Sequence, residues 1–362
     1  MKVLFIARST LFSNKGGDTV QVQQTATWLN KFGVDTTIRL SNESIDYKSY
    51  DLLHFFNITR PADILLHIKA SGKPYVISPI FVDYSEFDRS IRKGIAGFLF
   101  RILPAGMLEY VKVIARSIVA REKIVSKEYL LRGHHRSIQK ILGNARLLLP
   151  NSANEYNRLL QTYRIKKEYV VIPNAVDEIF ISNTSLGEER DPSLVLCVGR
   201  IEGLKNQLNL IKALNNTSFQ LLLIGNAASN QPGYYQQCRN IAGGNIRFIS
   251  FIRQEELVYW YKKATVHVLP SWFETTGLSS LEAAAAGCKI VITDKGDTKE
   301  YFGDDAVYCD PASPVSILNA IQSAAGKDIS QLQKKIREQY TWKETARKTA
   351  GAYQSIVQSA IN

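Results

Sequence analysis

Several features that would assign a function class are absent from this 362-residue sequence. No apolar run reaches the roughly 18–20 residues that cross a bilayer, and the first residues lack the pattern of a secretory signal. The four cysteines form no Cys-x-x-Cys pair, and there is no Asp-x-Asp triplet and no His/Cys cluster with ligand spacing. We therefore expect a cytoplasmic protein with reduced, buried thiols and no catalytic metal.

Positive charge is concentrated in one segment. The formal net charge is +12, and +10 of it lies in residues 89–146, where thirteen Lys or Arg residues accompany three acids. Apolar residues are interleaved at helical spacing, for example at Val111, Ile114 and Ile118. Such a pattern predicts docking on an anionic membrane, at the inner face of the cell membrane. Two alternatives are a core helix with a solvated basic face and a nucleic-acid surface. The latter is disfavoured because no nucleic-acid-binding module is recognised.

The order of apolar and helical segments predicts an α/β fold with parallel sheets. The chain is longer than one hydrophobic core usually serves, so we expect two doubly wound, Rossmann-like domains, residues 1–175 and residues 176–341. A last helix is predicted from Trp342 onward. The predicted strands are Lys2–Ala7, Val34–Leu40, Leu52–Asn57, Tyr75–Ile80, Arg146–Pro150 and Tyr169–Pro173 in the first half, and Leu194–Gly199, Gln220–Gly225, Ile246–Phe251, Val266–Pro270, Lys289–Thr293 and Ala306–Cys309 in the second.

The strongest motif spans residues 270–296, which read PSWFETTGLSSLEAAAAGCKIVITDKG. A strand ends in a loop that carries Glu274, and a helix is predicted to start near Thr276 or Gly277. Ligands of doubly wound sheets bind at the carboxyl ends of the strands, next to helix amino termini. The N–H groups of Gly277 and Leu278 are therefore predicted to bind an anion such as a diphosphate.

Two glutamates frame this predicted helix start in an E-x7-E pattern. Glu282 follows Leu278 by four residues, about 6 Å along the helix axis, and is predicted to accept hydrogen bonds from the two hydroxyls of a ribose. Glu274 precedes the helix and is predicted to reach toward a sugar on the distal phosphate. The alternative is an ordinary strand–helix–strand unit with two solvated glutamates.

A second motif combines two cations with a glycine. Gly199 ends a predicted strand, Arg200 follows it, and Lys205 opens the next helix five residues later. Gly199 allows a close backbone turn, while an Arg and a Lys together can neutralise a leaving nucleoside diphosphate. Two unrelated surface cations are the alternative.

A third motif, Gly16-Gly17, follows the first predicted strand and allows the backbone to approach a ligand. Asp18 or Thr19 is predicted to cap the following helix. The segment is not a Gly-x-Gly-x-x-Gly fingerprint, and no acid ends the second strand, so a dinucleotide site is disfavoured.

Taken together, these motifs and the Pro-Asn-Ala-Val-Asp segment at residues 173–177 resemble family 4 glycosyltransferases of the GT-B fold, of the bacterial surface-polysaccharide type. The resemblance implies two Rossmann-like domains facing a cleft, an acceptor-binding first domain onto which the last helix, residues 342–362, packs back, and a second domain that binds a UDP- or GDP-sugar. It implies hexosyl transfer with retention to a glycan acceptor, which we expect to be lipid-linked, without a metal or other cofactor. The implied catalytic residues are Arg200, Lys205 and Glu274, and the implied donor-binding residues are Gly16, Gly17, Gly199, Arg200, Lys205, Glu274, Thr276, Gly277, Leu278 and Glu282.

One departure from the family pattern concerns the acceptor side. Many members carry a His after the fourth strand, whereas this sequence continues through Asp83 and Tyr84, which we name as acceptor-side candidates. His134 and His135 are expected on the surface. A nucleotide-sugar epimerase of the same fold remains an alternative function.

Overall fold

The computed structural model describes residues 1–84, 126–182 and 190–359. These residues divide into two compact units. Of the described residues, the first unit comprises 1–81, 126–174 and 342–359, and the second comprises 82–84, 175–182 and 190–341. In each unit the central strands are runs of buried apolar residues, as expected for parallel sheets that helices cover.

The first unit is built on a parallel five-stranded sheet with the order β2-β1-β3-β4-β5. Its apolar side chains form one core on each face of the sheet. The strands are β1 (Lys2–Ala7), β2 (Asp35–Leu40), β3 (Leu52–Phe56), β4 (Tyr75–Ser78) and β5 (Leu147–Leu148). The described helices are α1 (Gly17–Lys31), α2 (Pro61–Ser71), α3 (Lys127–Asn144, interrupted at Gly133), α4 (Ala153–Tyr163) and α13 (Trp342–Ser359).

One predicted strand, Tyr169–Pro173, does not form as such. The backbone makes a single isolated bridge between Leu148 and Tyr169, although the N–H groups of Val170 and Ile172 still donate to carbonyls of the β5 segment. Pro150 has no N–H, so a regular ladder cannot continue past β5. The prediction of a sixth strand in this half was therefore wrong.

The last helix is anchored inside the first unit by polar contacts. The hydroxyl of Tyr353, which is fully buried, lies 2.6 Å from Nδ1 of His54 on β3, and Nε2 of His54 lies 2.9 Å from Oγ of Ser78. Burial lowers the pKa of His54 to about 3, so the ring is neutral. Nearer the start of α13, the hydroxyl of Thr345 donates to the carbonyl of Pro173 at 2.8 Å.

The second unit is built on a parallel six-stranded sheet with the order β11-β10-β9-β6-β7-β8. A single large apolar cluster fills its interior. The strands are β6 (Asp191–Val198), β7 (Gln220–Ile224), β8 (Ile246–Ile249), β9 (Ala264–Leu269), β10 (Lys289–Thr293) and β11 (Val307–Cys309). The described helices are α5 (Glu178–Ser182), α6 (Gln207–Leu214), α7 (Pro232–Ile241), α8 (Gln254–Lys263), α9 (Leu278–Ala285), α10 (Thr298–Phe302), α11 (Pro314–Ala324) and α12 (Ser330–Gln339), with 3-10 turns at Gly203–Lys205 and Gly303–Asp305.

Both sheets have a point where the chain order reverses. In the second unit this point lies between β6 and β9, and in the first unit it lies between β1 and β3. Connections leave such neighbouring strands in opposite directions and open a crevice at their carboxyl ends, which is where ligands of doubly wound folds bind.

Candidate functional site

The loops after β6 and β9 meet at the switch point of the second sheet. Gly199, which follows β6, and Gly225, which follows β7, both have positive φ (154° and 148°). A Cβ atom on Gly225 would lie 2.1 Å from the carbonyl oxygen of Gly199. The loops after β6 and β7 can therefore approach each other only because position 225 has no side chain. This contact fixes the path of the backbone into Arg200.

Arg200 leaves the end of β6 with its backbone held and its side chain partly exposed. Its carbonyl accepts a hydrogen bond from Nε2 of Gln207 at 2.8 Å, and its Nη2 lies 3.2 Å from Oε1 of the buried Glu202. The Arg200 side chain is 39% exposed, so it is accessible to a ligand from solvent.

Lys205 and Glu274 form an ion pair across the switch point. Nζ of Lys205 lies 2.5 Å from Oε1 of Glu274, and the hydroxyl of Ser271 donates to the same oxygen at 2.5 Å. The side chains are 22% and 6% exposed, so most of the pair is shielded from water. Asn206, in the left-handed conformation, anchors the Lys205 turn by donating to the carbonyls of Pro270 and Pro311. Lys205 and Glu274 were predicted to bind neighbouring parts of one ligand, and the fold brings them into direct contact.

A glycine that the sequence patterns did not single out sets the backbone of Glu274. The N–H of Glu274 donates to the carbonyl of Lys295, and the N–H of Asp297 donates to the carbonyl of Glu274. Gly296, between these partners, has φ 93°, and a Cβ there would lie 2.1 Å from the carbonyl oxygen of Glu274. The loop after β10 therefore holds the Glu274 backbone in place.

The start of α9 lies next to this ion pair along the chain. The helix begins at Leu278 after Gly277, which has φ 72°, and the preceding Thr276 is buried. A Cβ on Gly277 would lie 2.8 Å from Cδ1 of Ile292 on β10, so both conformation and space favour glycine. The first turn of α9 lies at the carboxyl edge of the sheet, as the sequence predicted.

Glu282 lies one turn further along α9 in a desolvated environment. Its Oε2 accepts a hydrogen bond from the hydroxyl of Tyr261 on α8 at 3.2 Å. Desolvation raises the pKa of Glu282 to about 7, the phenol opposes this rise, and the charge of Asp177 adds to it. Glu282 is thus not one of two solvated glutamates, the alternative that the sequence left open.

A buried histidine in β9 connects three elements of the site. Nε2 of His267 accepts the backbone N–H of Val198 on β6 at 3.3 Å, so Nδ1 carries the proton and donates to the hydroxyl of Ser280 on α9 at 3.2 Å. Burial first, and then the charge of Lys205, lowers the pKa of His267 to about 3. This neutral ring positions β6 against α9. Its only sequence signal is a polar residue within an otherwise apolar strand.

The glycine pair of the first unit lies at the start of α1. Gly16 is the N-cap, and its N–H donates to the hydroxyl of Thr19 at 3.1 Å, so Thr19 takes part in the cap, whereas Asp18 is not the N-cap residue. Instead, the carboxylate of Asp18 accepts two hydrogen bonds from Arg8, at 2.6 and 3.0 Å. Arg8 follows β1 and was missed by sequence reasoning. It holds the loop that leads to Gly17 by also donating to backbone carbonyls within that loop.

The remaining sequence candidates lie on exposed or undescribed parts of the chain. Asp83 and Tyr84 are both exposed. Of the basic segment 89–146, residues 89–125 lie outside the described residues. In the described part, His134 is buried and its Nδ1 lies 3.2 Å from the hydroxyl of Tyr129, so its expected surface position was wrong. The helix is interrupted at Gly133 (φ 73°), directly before His134.

No described helix is both long and apolar enough to cross a membrane. Within residues 1–84, 126–182 and 190–359, no group of three or more His, Cys, Asp or Glu residues has the geometry to hold a metal ion.

Comparison with known proteins locates this site in a recognised domain. Residues 180–342 match the family described as Glycosyl transferases group 1, just under half of the chain, and this region contains Arg200, Lys205, Glu274 and Glu282. The O-antigen chain mannosyltransferase B of Escherichia coli is 27% identical over 170 residues, which are 44% of this chain and 45% of that protein. The chain spans about half the length of the curated relatives that it matches.

Solved structures resemble the chain over nearly all of its length. Sucrose-phosphate synthase from Thermosynechococcus elongatus matches with a TM-score of 0.71 and 17% identity, covering 99% of this chain and 100% of that one. The HepE protein of Anabaena, solved in complex with UDP and glucose, matches with a TM-score of 0.66 and 16% identity, covering 98% and 100%. The two parallel sheets and these neighbours confirm the predicted fold class, two Rossmann-like domains of the GT-B type.

Proposed function

We propose that this chain is a retaining glycosyltransferase that moves a hexosyl unit from a UDP- or GDP-sugar to a glycan acceptor. The observation that carries the proposal is the grouping of Arg200, the Lys205–Glu274 pair and Glu282 around the β6/β9 switch point. This grouping lies within the glycosyl transferases group 1 region. The HepE neighbour, which was solved with UDP and glucose, supports a nucleotide-sugar donor.

The donor is proposed to lie along the carboxyl edge of the second sheet. Glu282 accepts hydrogen bonds from the ribose hydroxyls, and the N–H groups of Gly277 and Leu278 meet the diphosphate at the start of α9. Arg200 and Lys205 supply positive charge to the same diphosphate. The buried Thr276 and the close turn at Gly199 are proposed to bring the backbone of these two loops close to the donor.

Glu274 is proposed to bind the transferred sugar. Its Oε1 is occupied by Lys205 and Ser271, which fixes the carboxylate and leaves Oε2 for a sugar hydroxyl. In the reaction the bond between the anomeric carbon and the diphosphate oxygen breaks, and the acceptor oxygen attacks the same face. Its proton passes to the leaving phosphate oxygen.

Charge stabilisation is the main demand of this mechanism. Negative charge grows on the diphosphate as it leaves, and Arg200, Lys205 and the amino terminus of α9 are proposed to stabilise it. We propose that these groups make a metal unnecessary. A chelator-treated protein that keeps full transfer activity would support this, and restoration of lost activity by Mg²⁺ or Mn²⁺ would contradict it.

The first unit is proposed to bind the acceptor. Gly16 and Gly17, which follow β1 at the start of α1, remain proposed donor-binding residues. Asp83 and Tyr84, which follow β4 along the chain and are exposed, are proposed as acceptor-side residues, although they group with the second unit. We further propose that the acceptor is lipid-linked, that the reaction serves cell-surface polysaccharide synthesis, and that segment 89–146 docks at the inner face of the cell membrane. In the described part of this segment, Leu131 of α3 is 89% exposed, and Arg132 and Arg136 are exposed nearby along the helix. An apolar side chain among cations suits binding to an anionic membrane surface.

The test is a transfer assay with UDP- and GDP-hexoses and lipid-linked glycan acceptors. We expect a glycoside whose anomeric configuration, read by NMR, equals that of the donor. An inverted product would contradict the retaining mechanism. Release of an epimerised sugar without any glycoside would instead support an epimerase and overturn the proposal.

A further inference from the structure

Among the residues that the structure describes, Tyr261 is the one whose side chain donates a hydrogen bond to the Glu282 carboxylate. Its hydroxyl donates to Oε2 at 3.2 Å, and the residue is completely buried on α8. The two positions are 21 residues apart, so no local spacing in the sequence connects them.

The phenol of Tyr261 is a fixed point because its backbone and ring are both held. Its carbonyl accepts hydrogen bonds from Nη1 of Arg190 at 2.9 Å and from the thiol of Cys288 at 2.8 Å. Its ring packs edge-on against Phe180 and His267, each with ring centroids 5.8 Å apart. A side chain held on all these sides can impose an orientation on a partner rather than follow it.

The charges around Glu282 make this single donor important. Burial raises the pKa of Tyr261 well above 10, so its hydroxyl is neutral and donates. Desolvation disfavours the ionised form of Glu282, and the like charge of Asp177 raises its pKa further. The hydrogen bond from Tyr261 acts against both effects.

We propose that Tyr261 is a positioning residue that holds the Glu282 carboxylate in the orientation needed to bind a ribose. By occupying one lone pair of Oε2, it leaves Oε1 and the second lone pair of Oε2 for two vicinal hydroxyls. This inference rests on the proposed function, in which Glu282 binds the ribose of the donor.

The test compares two ligands on one protein. Affinities for UDP, or for GDP if the parent prefers it, and for the matching 2′,3′-dideoxynucleoside diphosphate are measured by calorimetry from pH 6 to pH 9. The affinity for the nucleoside diphosphate divided by the affinity for its dideoxy analogue reports ribose recognition. This ratio is independent of the folded fraction of each preparation. The variants are Tyr261→Phe, Glu282→Gln and, as a matched control, Tyr308→Phe, which removes another phenol hydrogen bond of the same unit on the edge strand β11.

In the parent we expect the ratio to rise as Glu282 ionises. Tyr261→Phe should lower the ratio about threefold to tenfold near pH 7, because the hydrogen bond that orients the Glu282 carboxylate is lost. It should also move the midpoint of the rise to higher pH, since the phenol lowers the pKa of Glu282. A merely loosened core would hydrate Glu282 and move this midpoint to lower pH instead. Tyr308→Phe should leave both quantities unchanged.

Each contrary outcome has a distinct meaning. If Glu282→Gln keeps the parent ratio, Glu282 does not bind the ribose and the proposed function of this residue fails. If Glu282→Gln loses the ratio while Tyr261→Phe keeps both ratio and midpoint, the positioning role of Tyr261 is wrong. The same holds if Tyr308→Phe shifts them equally.

Discussion

The Lys205–Glu274 pair allows stability and catalysis to be separated in one experiment. Replacing Lys205 with Met removes the cation but keeps much of the side-chain volume. The carboxylate of Glu274 then keeps its hydrogen bond from Ser271 but loses the neighbouring positive charge. Removing one member of a buried pair commonly costs about 3–5 kcal/mol, because the other charge is left uncompensated. Lys205 is 22% exposed, so water can partly solvate the site, and we expect about 2–3 kcal/mol.

The free energy of unfolding is measured by urea denaturation at pH 7.5, followed by tryptophan fluorescence. The double variant Lys205→Met/Glu274→Gln removes both charges and should recover at least half of the lost stability, yet it should remain inactive in sugar transfer. The control is Arg253→Met, which breaks an exposed pair with Glu256 and should cost about 0–0.5 kcal/mol. If Lys205→Met costs no more than this control, or if the double variant regains activity, the pair does not have the role described here.

Four further outcomes are expected. Arg200→Ala should lower kcat about 30-fold to 1,000-fold with little change in Tm, because it removes charge stabilisation of about 2–4 kcal/mol from the transition state; an unchanged kcat would contradict its role. The pKa of Glu282 is about 4.5 in the unfolded chain and is raised to about 7 in the folded protein, so the parent should lose stability as the pH rises across this range. Denaturation series at these pH values should show that Glu282→Gln lacks this component of the loss. Gly296→Ala should lower the free energy of unfolding by about 2–4 kcal/mol because of its φ of 93° and the 2.1 Å contact, whereas Gly244→Ala, with open space around it, should not. Leu131→Ser should weaken sedimentation with anionic vesicles while leaving nucleotide affinity unchanged, and equal sedimentation would show that this exposed leucine does not take part.

The sequence predicted the sheets well because parallel strands are buried on both faces. The bounds of Lys2–Ala7 and Lys289–Thr293 agree fully with the structure, since each is a short run of mainly apolar residues. The prediction of Tyr169–Pro173 as a strand was wrong because apolar composition cannot show that a proline in the partner segment interrupts the ladder.

The site was predictable only where its residues follow one another closely. The spacing of Glu274 and Glu282 on either side of a helix start reveals them from sequence. In contrast, Tyr261 and His267 contact the site across 21 and 13 residues, through packing of elements that no local pattern connects. The direct contact of Lys205 with Glu274, 69 residues away, likewise depends on the adjacency of β6 and β9, which strand order alone creates.

The most direct test of the central claim is a crystal structure of the protein with a nucleoside diphosphate. The account predicts that both ribose hydroxyls lie within hydrogen-bonding distance of Glu282, and that the diphosphate lies between the start of α9 and the cations of Arg200 and Lys205. A nucleotide bound away from the carboxyl edge of the second sheet, or one whose ribose does not contact Glu282, would contradict it.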